Sequence, residues 1–204
     1  MGAISVKKLS LVKRLYYRNF YGAKKIAQEM SVSIDAVYYF MRRNNLKRRS
    51  FSEENQLRFN RKKPSFKPKS RLSIRDEKLK ALGVALYLGE GGKSQNWIID
   101  FSNSDPIIIK IFVKFLRDIC GIRENKLRVL LYCYKNQNIN ELITFWNKIT
   151  KISKSQFTKP YVRNDFNPNK ENKMKFGLVH IRYSDKKLFS LISKWTSDYI
   201  DNFG

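Results

Sequence analysis

The sequence is poor in histidine, cysteine and acidic residues. Its 204 residues contain one His, two Cys and 17 Asp+Glu, against 42 Lys+Arg. Cys120 and Cys133 make neither a CxxC pair nor a dense disulfide pattern, which fits a reducing compartment. One His and two separated Cys are too few ligands for a zinc finger or a His-dependent nuclease, so any metal must be held by oxygen. No stretch approaches 18 apolar residues, and Met1-Gly2-Ala3-Ile4-Ser5-Val6-Lys7-Lys8 lacks a signal-peptide core. The expectation is a chain that neither spans a membrane nor is secreted, and that is cytoplasmic and nucleoid-associated. Hydrophobic residues make up 42% and aromatics 14%, enough for a core, so wholesale disorder is excluded.

The formal net charge of +25 repels itself unless a polyanion neutralises it. Nucleic acid is the expected partner, anionic membrane is the rival, and no small-molecule substrate is implied. The surplus is spread along the chain, with +10 in residues 1–49, +4 in 50–76 together with Glu77, and +11 in the remainder. A ribosomal or architectural protein would show the same balance, so charge names a partner class and no mechanism.

Three parts are expected: a helical domain over 1–49, a basic linker over 50–76 and an α+β domain over 77–204. The linker reading rests on Arg61-Lys62-Lys63-Pro64-Ser65-Phe66-Lys67-Pro68-Lys69-Ser70-Arg71, where two prolines and like charges oppose a helix or strand.

In the first part, Leu9, Leu11, Val12, Leu15 and Tyr16 give one helix an apolar stripe. A short second helix covers 23–30. Ser33 is suited to cap a third helix from Ile34 to about Asn45, with Asp35 in its first turn. Ile26, Ala27, Met30, Val32, Val37, Phe40 and Met41 form the expected buried set. This spacing resembles the helix-turn-helix family, with Ser31 where that family has Gly at the turn. The resemblance implies a third helix that enters the major groove, facing outward with Ser33, Asp35, Tyr38, Tyr39 and Arg42. Arg43, Arg48 and Arg49 would lie against phosphates. The alternative is a helical bundle with a solvated basic face.

In the third part, Lys78–Gly92 places Ala81, Ala85 and Gly89 four residues apart, a small-residue stripe that lets another helix come close. Glu90 sits at the helix C-terminus, where negative charge is disfavoured by about 0.3–1 kcal/mol and invites a cation. Gly91 and Gly92 are expected to end the helix in a left-handed conformation. The stretch Gly83-Val84-Ala85-Leu86-Tyr87-Leu88-Gly89-Glu90-Gly91 resembles the LAGLIDADG homing endonuclease family, with Glu where the family has Asp.

The resemblance implies an αββαββα-like domain with a curved antiparallel sheet facing DNA. It also implies a homodimer joined through Ala81, Ala85 and Gly89, and Glu90 as ligand for Mg2+ or Mn2+ in phosphodiester hydrolysis. Strands are expected at 97–102, 126–135 and 175–183, and helices at 106–119, 141–151 and 186–199. By period two, Arg128, Tyr132 and Tyr134 share one face of their strand and His180 and Arg182 one face of theirs, the faces expected to meet DNA. Lys62 and Lys93 complete the cationic candidates. Asp105 and Lys159 are second-rank catalytic candidates, with a helix cap and a surface lysine as their alternatives. The expected function is a double-stranded DNA endonuclease; the alternatives are a non-cleaving regulator of the same architecture and an RNA-binding or ribosome-associated protein.

Overall fold

A computed structural model describes residues 4–92, 97–164 and 174–202. The chain divides into two compact units, Met1–Lys63 and Pro64–Gly204. The division replaces the expected linker: residues 50–63 belong to the first unit, and residues 64–76 are bound into the second.

The first unit is all helical. It contains α1 (Leu9–Lys13), which continues into a π-helical turn at Arg14–Arg18, then α2 (Ala23–Glu29), α3 (Ile34–Arg43) and α4 (Phe51–Arg61). Val12, Leu15, Tyr16, Ile26, Ala27, Val37, Phe40 and Met41 are buried together, with Met30 and Val32 packed at the margin. The α2–α3 turn is made at Ser31, whose φ of 53° lies in the left-handed region. Val32 N–H donates to Ala27 O at 2.9 Å across that turn. A serine thus takes the conformation that glycine adopts with less strain. Ser33 caps α3 by accepting from Ala36 N–H at 3.1 Å. Helix α4 begins with a capping box between Ser50 and Glu53, which stabilises a helix that buries no residue of its own.

The second unit is α+β. In chain order it has α5 (Ile74–Glu90), β1 (Ile99–Asn103), α6 (Pro106–Asp118), β2 (Arg128–Tyr134), α7 (Ile139–Thr150), β3 (Tyr161–Arg163), β4 (Leu178–Tyr183) and α8 (Lys186–Asp201). The sheet order is β1-β4-β2-β3. β4 is antiparallel to both β1 and β2, whereas β3 runs parallel to β2. The sheet is therefore mixed, not wholly antiparallel. Strands β2 and β4 alternate buried and outward residues, so Val129, Leu131, Cys133, Val179, Ile181 and Tyr183 meet the helices. Phe101 stacks on Phe112 with ring centroids 3.9 Å apart, and buried Trp146 donates its indole N–H to Phe176 O at 2.7 Å. Full burial of each such side chain contributes about 1.5–3 kcal/mol. A Cβ on Gly83 would lie 2.2 Å from the Phe115 ring, so α5 and α6 cross in close contact there.

The proline-bearing segment at 64–71 is an extended strap. Lys67 N–H and Lys69 N–H donate to Gly121 O and Ile119 O, each at 2.9 Å. Pro64 and Pro68 fall where no such donor is used, which is why the prolines are tolerated. Ser65 is held by N–H and Oγ donation to Asp185 at 2.9 and 2.6 Å, and by a short hydrogen bond from the buried Tyr183 hydroxyl to its carbonyl. Burial raises the Asp185 carboxyl, but hydrogen bonds from Ser65, Lys187 and Leu188 outweigh it and leave the group below its ordinary value. Ser73 then caps α5 in a capping box with Asp76.

Candidate functional site

Three surfaces carry the predicted functional residues. The first is the outward face of α3. Asp35, Tyr39, Arg42 and Arg43 are exposed there, and Ser33 is half-buried with its oxygen engaged in the cap. Tyr38 is also half-buried, with the Arg48 guanidinium 4.0 Å above its ring. Lys62 lies just beyond α4 and is exposed.

Arg49 departs from its expected role. Its guanidinium stacks over the Tyr16 ring at 3.9 Å, donates to the carbonyls of Tyr16 and Tyr21 at 2.7 Å each, and pairs with Glu54 at 2.9 Å. Its side chain is only 10% exposed, so it clasps the first unit instead of facing phosphate. Arg49→Ala is expected to destabilise the chain by about 2–4 kcal/mol, because two carbonyls and Glu54 lose their partner. Arg42→Ala, which removes an exposed side chain, should leave thermal unfolding unchanged. Equal melting temperatures for the two variants would contradict this division of roles.

The second surface is the outer face of the sheet. Arg128, Leu130, Tyr132 and Tyr134 of β2 point to it, as do Leu178, His180 and Arg182 of β4. Asp100 and Ser102 of β1 stand opposite Arg182 and His180. Asp100 bridges the two cationic candidates: Oδ1 is 2.8 Å from His180 Nδ1, and Oδ2 accepts from Arg182 Nε at 2.9 Å. Burial pushes the Asp100 carboxyl up, but the His180 hydrogen bond and the charges of His180 and Arg182 outweigh that and hold it below its ordinary value. The ionised carboxylate can only accept, so His180 Nδ1 carries the proton. Ring contacts extend the surface: Tyr132 lies 4.8 Å from His180 and 4.9 Å from Tyr161. Arg128 is less free than expected, since its Nη1 donates to Asn125 O and Leu127 O. Arg163 sits over the Tyr134 ring at 5.7 Å. Asp100, Tyr161 and Arg163 are additions to the sequence-derived set. Asp100 was detectable there, since it alternates with Ile99 and Phe101 in a strand pattern.

The third surface is the exposed side of α5 and its end. Ala81, Leu82, Ala85, Leu88 and Gly89 are exposed along one side, while Gly83, Val84 and Tyr87 face the core. A Cβ on Gly89 would meet nothing within 4 Å. Gly91 ends the helix at φ −74° and ψ 139°, an extended conformation and not the left-handed one expected. Extension lets Gly91 bridge Phe101 of β1 and Gly92 N–H donate to Asp100 O at 2.7 Å. Glu90 is exposed beside this edge and makes no ion pair or hydrogen bond with the described residues.

The other two catalytic candidates have positions of their own. Asp105 is the cap of α6, accepting from Ile107 N–H at 2.7 Å and Ile108 N–H at 3.4 Å. That occupation gives it a structural role and corrects the catalytic one. Lys159 is exposed in the segment entering β3, at the far edge of the sheet. Four strand spacings of about 4.8 Å put it roughly 19 Å from the Gly91 edge, too far to act on the same atoms. Lys93 lies outside the described residues.

Both cysteines are buried free thiols whose acidity is suppressed by burial, so neither is a nucleophile. Among the described residues no three His, Cys, Asp or Glu side chains cluster as a metal site. No described helix is long and apolar enough to cross a membrane. Comparison of the chain with protein-family models, with curated proteins and with solved structures finds no match.

Proposed function

We propose that the chain is a sequence-specific double-stranded DNA endonuclease, similar in architecture to the LAGLIDADG homing endonucleases, acting as a homodimer. The observation that carries the reading is the end of α5: an exposed acid, Glu90, at the foot of an exposed stripe of Ala81, Ala85 and Gly89. A second copy seated on that stripe brings two Glu90 side chains together. The Gly91–Phe101 bridge adds a short antiparallel pairing ahead of β1, whereas α7 between β2 and β3 departs from the αββαββα order.

The division of labour follows from the residues. Exposed Arg42 and Arg43 of α3 bind duplex DNA in the first unit. The outer sheet face, with Arg182, His180, Tyr132 and Tyr134, binds it in the second. Glu90 is an exposed hard-oxygen donor without a protein partner among the described residues, which fits Mg2+ or Mn2+. Such an ion, when bound, supplies Lewis-acid activation of water and stabilisation of the leaving oxygen. One carboxylate per chain holds it incompletely, which is why the dimer is part of the proposal.

Linear DNA carrying the selected target should be cut by the wild type with Mg2+. Glu90→Gln should still bind but cut about 10²–10³-fold more slowly, as expected from losing several kcal/mol of metal-derived stabilisation. A second reading, a DNA-binding regulator, is favoured by the engagement of Asp105 as the cap of α6 and by the position of Lys159 at the far edge of the sheet. Tight binding by the wild type without cutting, with either metal, would establish that reading instead.

A further inference from the structure

We infer that Asp100 is a positioning residue that locks Arg182 and His180 into one base-reading unit, with guanine as the base Arg182 reads. The inference rests on the DNA-binding reading above and goes beyond it by assigning a recognition element and its base. Three observations support it.

The first is the divided use of the Arg182 side chain. Nε is held by Asp100 Oδ2 at 2.9 Å, and neither terminal nitrogen has a partner among the described residues. A guanidinium anchored through Nε presents its two terminal N–H groups as a fork. That fork matches the O6 and N7 acceptors of guanine in the major groove. The second is the other oxygen of the same carboxylate, which takes His180 Nδ1 at 2.8 Å and leaves Nε2 without a hydrogen bond to the described residues. One carboxylate thus orients two neighbouring readers, and neither side chain can turn without breaking a charge-assisted bond. The third is enclosure: the side chains of Asp100, His180 and Arg182 are 22%, 19% and 33% exposed, so water weakens these contacts less than it would for free surface pairs. The Tyr132 ring closes the other flank of His180 at 4.8 Å. By contrast Arg128, opposite Arg182 in the register, has Nη1 committed to main-chain carbonyls and lacks the anchored fork.

The test is selection of bound duplexes from a random library with the full chain, as wild type, Asp100→Asn, Asp100→Ala and Arg182→Lys. Wild type should prefer guanine at one position of each half-site by about 5–100-fold, the range for a bidentate contact. Both Asp100 variants should lose most of that preference and keep the preferences set elsewhere in the site. Arg182→Lys retains Asp100 and the charge, and should lose guanine at the same position. Unchanged guanine preference in either folded Asp100 variant, or loss at a position different from that of Arg182→Lys, overturns the inference. If the wild type enriches no sequence, the DNA-reading proposal itself fails, and the two failures are thereby told apart.

Discussion

Raising salt from about 50 to about 200 mM should weaken duplex binding by about 10³–10⁵-fold, if 6–10 phosphates are neutralised. The expectation rests on where the cations stand. The first unit carries 16 Lys+Arg against 4 Asp+Glu, and Arg42, Arg43, Lys47 and Arg48 are exposed at and after the end of α3. Binding by such a surface is driven by release of counterions from the polyanion, so affinity follows the logarithm of salt concentration. Titration with fluorescent duplex at four salt concentrations measures the slope. If exposed Lys62 meets phosphate, as the proposed DNA binding implies, Lys62→Ala should reduce the slope by about one and weaken all sequences alike. A nearly flat response would mean that duplex DNA is not the polyanion this surface meets.

Gly121→Ala should be the most damaging single-methyl change in the second unit. Gly121 has a φ of +61°, and an added Cβ would stand 1.9 Å from Lys67 O. The left-handed backbone alone disfavours a side chain by about 1–2 kcal/mol. The clash is with main chain, which cannot swing aside as a side chain can, and it strikes the residue whose N–H donates to Gly121 O at 2.9 Å. The strap must lift or α6 must shift, adding about 1–3 kcal/mol as in an overpacked core. A total near 3 kcal/mol should lower the melting temperature by roughly 6–12 °C. Amide exchange at Lys67 and Lys69 should rise with it. Protection as strong as in the wild type would show that the strap does not depend on this contact.

Much of the local structure was legible because it is written in periodicity. The stripe from Ile26 to Met41, the alternation of β2 and β4 and the apolar face of α6 each predicted an element and its inner side. The failures share a cause. Helix α4 is legible as a polar helix-like stretch, but it buries nothing, so no apolar stripe assigns it to the first unit instead of a linker. The strap is fixed by main-chain bonds to residues 119–121 and by Asp185, partners that no local pattern announces. β3 is three exposed residues without alternation, recruited through parallel pairing with β2. For the candidate site, outward placement of His180 and Arg182 followed from period two, but their common partner Asp100 lies about 80 residues away. Arg49 was misread because a basic run looks the same whether it meets solvent or carbonyl groups.

The position of β4 between β1 and β2 has a consequence during synthesis. β1 and β2 do not touch each other; both wait for a strand that leaves the ribosome after every other strand. The first unit closes through nearby contacts and is complete long before, in keeping with rapid folding of local topologies. A nascent chain therefore exposes a finished cationic helical body while β1 still lacks its neighbour and β2 holds only β3. A stop codon just upstream of Leu178 would leave β1 without its partner and β2 with only β3, a product exposed to proteolysis and aggregation.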